Sequence, residues 1–174
     1  MFLKEDFLSK NLDRVNEWIR FSDQKVQLWL AFEGLLIGVV GFFIAPGIIS
    51  EILLSGKQLN TFLFLFGLEI LSLSLSLSVV SIIPKISILK KKNKEKRTSL
   101  IYFADVASIT FSDFAKKISN MSTVDYLNDL MSQIHINSTI AKRKFNEFIY
   151  SVVLFFIGLL VISLCLINFL ISSN

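Results

Sequence analysis

The chain has 174 residues, 53% hydrophobic and 18% charged, with 18 Lys and Arg against 14 Asp and Glu. A mean hydropathy of +0.62, with fewer charges than the quarter or so usual in soluble domains, excludes an ordinary soluble fold and points to a small membrane bundle. One cysteine, Cys165, and one histidine, His135, exclude a disulfide framework, a thiolate metal site and a Ser–His–Asp or Cys–His nucleophile. No carboxylate pair, metal cluster or phosphate loop is recognisable, so the sequence reads as a non-enzyme without metal or cofactor.

Residues 1–27 mix charges of both signs and lack the basic and then apolar order of a signal peptide. Leu8, Leu12, Val15 and Ile19 repeat at helical spacing, which predicts an amphipathic cytoplasmic helix. Three runs are then long enough to cross a hydrocarbon core, which takes about 20 residues. They are 28–49, 61–83 and 149–171, the first two forming a hairpin over 28–83. Pro46 and Pro84 lie at span ends, where a residue that cannot continue a helix is tolerated.

The first span carries Gly34, Gly38, Gly41 and Ala45 on one seam, with Glu33 beside it. The second contains "LSLSLSLSVVSIIP" at 71–84, whose alternation is that of a strand. A lone strand cannot cross a bilayer, because its backbone groups would find no partner in hydrocarbon, so the run is a helix. On a helix the serines split into two stripes, Ser74, Ser78 and Ser81 on one, Ser72 and Ser76 on the other. The second stripe runs back to Glu69. Two readings stay open: the serines permit close helix packing, or Glu33, Glu69, Ser72 and Ser76 line a polar path in an oligomer.

Residues 84–148 hold twelve of the 18 basic residues, including "KKKNKEKR" at 90–97. The positive-inside rule places this region and the N-terminus in the cytoplasm. The basic run reads as a contact with anionic lipid headgroups; a nucleic-acid patch would need aromatic interleaving that is missing. From Thr123 onward the pattern is helical, and 123–171 contains one glycine and no proline. It predicts one helix of roughly 70 Å, half cytoplasmic and half spanning. The expected fold class is therefore an all-α integral membrane protein with three transmembrane helices, whose cytoplasmic helical region contains a long helix continuous into the third span.

"FSDQKVQLWLAFEG", "IYFADV" and "YLNDLMSQIHINSTIAKRKF", in that order around three apolar segments, resemble the transmembrane effectors of bacterial Pycsar antiphage systems. The resemblance covers about residues 20–170. It implies an effector in the bacterial inner membrane that responds to a cyclic nucleotide from a partner cyclase and damages the membrane, arresting or killing the infected cell. On that reading, Asp23, Lys25, Tyr102, Phe103, Asp105, Gln133, His135, Arg143 and Lys144 line one cytoplasmic nucleotide site. A ring would stack on the base and cations would hold the phosphate. Core packing is the competing explanation for Tyr102 and Phe103, and a structural role the one for His135. A path through the membrane requires a homo-oligomer. The alternatives are a membrane-anchored adaptor with a cytoplasmic protein partner, and a constitutive holin-like pore.

Overall fold

The computed structural model describes residues 2–43, 47, 50–52, 58–83 and 99–173. Pro46, Pro84, Ala45, Lys57 and the basic run at 90–97 lie outside the described residues. Five α-helices have described bounds, α1 (Phe2–Phe43), α2 (Gln58–Ile82), α3 (Phe103–Val106), α4 (Phe111–Ser119) and α5 (Thr123–Ser173), and the described residues 47 and 50–52 are helical as well. The alternating Leu–Ser run is helical throughout its part of α2. The long helix expected from Thr123 is there as α5.

Two features differ from the sequence expectation. The amphipathic segment 1–27 does not end where the first apolar segment begins; both belong to α1, because no glycine or proline precedes Gly34 to interrupt the ladder. Second, the described residues contain two helices long and apolar enough to cross a membrane, not three: Gln58–Ile82 and the apolar part of Thr123–Ile171. The C-terminal half of α1 carries Asp23, Lys25 and Glu33, and the apolar tail that would complete its span falls at 44–49, outside the described residues but for Gly47.

The chain divides into two units. One takes 1–21 and 84–143, the other 22–83 and 144–174. In the first, Leu12, Leu130 and Ala141 are buried, and Asn137 donates to Asn16 at 2.8 Å. Two of its helix starts are capped by hydroxyls. Thr110 accepts from the Asp113 amide at 3.2 Å and Ser122 from the Asp125 amide at 3.1 Å, and each hydroxyl also donates to the matching aspartate. These reciprocal caps fix where α4 and α5 begin.

The second unit joins α1 from Ser22, α2, and α5 from Lys144. Its interior holds Val26, Phe64, Ile70, Leu71 and Phe155, with Ile52, Phe64 and Cys165 forming one cluster. α2 and α5 approach through Gly67 and Gly158: a Cβ on Gly67 would lie 3.4 Å from the Gly158 carbonyl oxygen and 2.6 Å from Ile162 Cγ1. Large apolar side chains such as Leu65, Phe66, Phe156, Leu160, Leu164 and Ile167 point outward. That is the pattern of helices solvated by lipid, where polarity is turned inward and oil faces oil.

Candidate functional site

The alternation of leucine and serine resolves into two different environments on α2. Ser74, Ser78 and Ser81 are fully buried, whereas Ser72, Ser76 and Glu69 are exposed. An exposed serine still needs a partner in an apolar setting, and Ser76 finds one by donating to the Ser72 carbonyl one turn back at 2.8 Å. The buried serines look across to α1 and α5 instead.

There they meet Glu33, which is 0% exposed and placed inside the bundle by the register of α1. Ser74 hydrogen-bonds Glu33 Oε1, and Ser78 lies 2.9 Å from Oε2. Ser78 also contacts the Ser151 hydroxyl at 2.6 Å. Ser151 accepts from the Trp29 indole N–H at 3.0 Å, and its backbone carbonyl lies 2.9 Å from Ser74 Oγ. A carboxyl group, three hydroxyls and an indole thus form one closed cluster, walled by the aromatic rings of Trp29 and Phe155 with centroids 5.3 Å apart. Isolated, a buried carboxylate would cost several kcal/mol; hydrogen-bonded on both oxygens it is tolerated.

Closer to the start of the unit, Lys144 pairs with Asp23 and donates to the Ser81 carbonyl at 3.2 Å. The hydroxyls of Ser22 and Ser81 are buried there without a hydrogen-bond partner among the described residues. At the opposite end of α2, Asn60 is buried; it accepts from Asn168 at 2.6 Å, and its carbonyl accepts from Cys165 at 3.2 Å. Apolar side chains separate that pair from the Glu33 cluster: the buried positions of α2 between Asn60 and Ser74 are Phe64, Gly67, Ile70 and Leu71.

The residues expected at the nucleotide site fall in both units. Asp23, Lys25 and Lys144 belong to the unit of apolar helices, where Asp23 and Lys144 satisfy one another and Lys25 sits 5.9 Å over the Phe145 ring. Tyr102, Phe103, Asp105, Gln133, His135 and Arg143 belong to the other unit. Of these, Tyr102, Asp105 and Gln133 converge on Ser99. The Ser99 hydroxyl accepts from the Tyr102 amide and from Gln133 Nε2, both at 3.0 Å, and Asp105 accepts from the Ser99 amide at 3.2 Å. Asp129 holds the next amide, that of Leu100, at 2.8 Å. This is a polar lock on the turn before α3. Phe103 projects from it, 65% exposed and 5.0 Å from the Tyr102 ring. His135 and Arg143 are exposed on α5.

The residues assigned from sequence to a membrane polar path separate in the same way. Glu33 is inside the bundle, while Glu69, Ser72 and Ser76 share an outward face. Ser74, Ser78, Ser151 and Trp29 were not assigned to it. Ser74 and Ser78 belong to the other serine stripe of the sequence, but nothing in the sequence says which stripe faces α1.

An α-helical membrane protein with an acid–hydroxyl cluster sealed among apolar helices is the class these features define. Residues 7–171 match the family model described as the Pycsar effector protein domain, and the chain belongs to that family of antiphage defence effectors. It is similar to the Pycsar effector protein GmPycTM of Gulbenkiania mobilis, with 28% identity over 161 residues that cover 82% of this chain and 81% of that one. No solved structure matches.

Proposed function

We propose that this chain is the membrane-acting arm of a Pycsar defence system: a cyclic nucleotide made by a partner cyclase during phage infection switches it to a state that permeabilises the inner membrane. The observation that carries this reading is the family match together with a fully buried polar cluster inside helices of otherwise lipid-like surface. A passive anchor has no use for a carboxyl group in that position, since each such group is expensive in hydrocarbon.

In the working arrangement the N-terminus and residues 84–148 face the cytoplasm, the apolar segment 28–49 is a third span, and several copies assemble. The exposed stripe of Glu69, Ser72 and Ser76 is the polar face of α2 through which copies would meet. The nucleotide binds in the unit that holds Tyr102 and Phe103, whose rings offer a stacking surface, with Asp105 and Gln133 as support for that turn. Arg143 and the basic run at 90–97 bring positive charge to a phosphate. The action is non-enzymatic.

Isothermal titration of the full chain in detergent with a panel of cyclic mono- and dinucleotides tests the sensing half. One member of the panel binds, and Tyr102→Ala weakens it at least tenfold. If no cyclic nucleotide binds correctly folded protein, the signal-responsive reading fails, and an adaptor or constitutive pore takes its place.

A further inference from the structure

The hydrogens of the Glu33 cluster are countable. Ser74 Oγ lies within bonding distance of Glu33 Oε1 and 2.9 Å from the Ser151 carbonyl oxygen, yet a hydroxyl has one proton to donate. With an ionised carboxylate, one of those two contacts has no hydrogen. One added proton, on Glu33, completes both: Glu33 donates to Ser74, and Ser74 donates to the Ser151 carbonyl. On the other side Trp29 donates to the Ser151 hydroxyl at 3.0 Å, Ser151 to Ser78 at 2.6 Å, and Ser78 to Glu33 Oε2 at 2.9 Å. Every donor is then used once.

The cluster also stands at the end of a polar file. On α2 the buried hydroxyls recur at Ser74, Ser78 and Ser81; on α5, Lys144, Glu147 and Ser151 share a face, and a carboxylate oxygen of Glu147 is buried. Ser22 and Asp23 on α1 complete the outer layer, with the Asp23–Lys144 pair and the hydroxyls of Ser22 and Ser81, which have no hydrogen-bond partner among the described residues. Beyond Glu33 the interior turns apolar at Leu71, Ile70 and the Gly67–Gly158 contact. The file therefore reaches a protonatable group and stops.

We propose that Glu33 is the proton-binding station of a path inside each chain, and that protons are what the activated protein passes across the membrane. This rests on the membrane-permeabilising reading above. Hydronium at the Lys144 end gives up its proton and stays there as water, and the Glu33 carboxylate takes up that proton as a carboxylic acid. When the seam between α2 and α5 opens, the acid returns that proton to water on the far side. Around Glu33 the hydroxyls of Ser74, Ser78 and Ser151 touch the carboxyl group or one another, a contact that relays a proton and leaves no room for a hydrated ion.

The test uses the full chain in sealed vesicles, with a potassium gradient and valinomycin setting the voltage and a trapped pH-sensitive dye reading proton entry. It is run with each of the cyclic mono- and dinucleotides, beside release of carboxyfluorescein. Proton entry without dye release is expected, reduced at least tenfold by Glu33→Gln and unchanged by Ser163→Ala, an exposed serine that bonds only its own helix. Should Glu33→Gln not fold, Glu33→Asp retains flux because it keeps a titratable group, and Ser78→Ala lowers it. Proton entry insensitive to these changes, or dye release that Glu69→Gln abolishes, overturns the inference and leaves permeabilisation standing. Neither flux under any condition overturns both.

Discussion

Valine in place of Gly67 or Gly158 probes the seam on which the membrane unit depends. A Cβ at Gly67 meets Ile162 Cγ1 at 2.6 Å, and one at Gly158 meets Leu71 Cδ2 and Cγ at 2.8 and 2.9 Å. Carbon atoms prefer about 3.5–4.0 Å, so each overlap is at least about 0.6–0.9 Å before the rest of the valine is added. Ile162 Cγ1 and Leu71 Cγ are inner atoms of branched side chains, so a terminal rotation does not clear them. The helices must separate, and overpacking of this kind costs about 1–3 kcal/mol. A Cβ at Gly34 or Gly38 meets nothing within 4 Å, so valine there is expected to change stability by about 0.5 kcal/mol or less. Unfolding in mixed micelles by increasing SDS, followed by far-ultraviolet circular dichroism, reads the difference directly. Gly158→Val as stable as Gly38→Val would refute the close approach of α2 and α5.

Ser151→Ala removes the acceptor of the Trp29 indole and the partner of Ser78, and should lower stability by about 1–3 kcal/mol with a shift in tryptophan emission as the indole loses its bond. Asp23→Asn and Lys144→Met each strand one member of a partly buried pair, so the double variant should lose less than the sum of the two singles in the same SDS titration. Asp105→Ala frees the Ser99 amide, and limited proteolysis should then cut near residues 99–103 sooner than in the parent. An unchanged cleavage pattern would show that Asp129 and Gln133 hold the turn unaided.

The all-α character and the long C-terminal helix were legible because both follow from local rules: no proline after Pro84, one glycine after Thr123, and lengths that only a helix can use in hydrocarbon. The join inside α1 was hidden by a change of composition at about residue 28, which looks like a boundary although nothing there interrupts the backbone ladder. The choice between serine stripes lay beyond local reasoning. Strict alternation puts nearly equal polarity on both sides of α2, so only the neighbours decide; Glu33 on α1 and Ser151 on α5 selected Ser74 and Ser78 rather than Ser72 and Ser76. Small residues divide between contacts within the chain and positions that touch nothing in it. The repeated glycines of α1 catch the eye, yet the close helix contact is made by Gly67 and Gly158, two isolated glycines on different helices. Asp105 stood out as a ligand candidate, and its carboxylate is bonded to the Ser99 amide, a partner six residues upstream that the motif "YFAD" does not contain.

The most direct test of the account is a voltage measurement. Purified full-length protein is placed in liposomes that hold a potassium diffusion potential, and a potential-sensitive dye is followed as single cyclic mono- and dinucleotides are added. The account predicts collapse of the potential with one nucleotide and a stable potential without it. A potential that persists with every nucleotide, in correctly inserted protein, or that collapses equally without any, would contradict a signal-gated effector of the membrane.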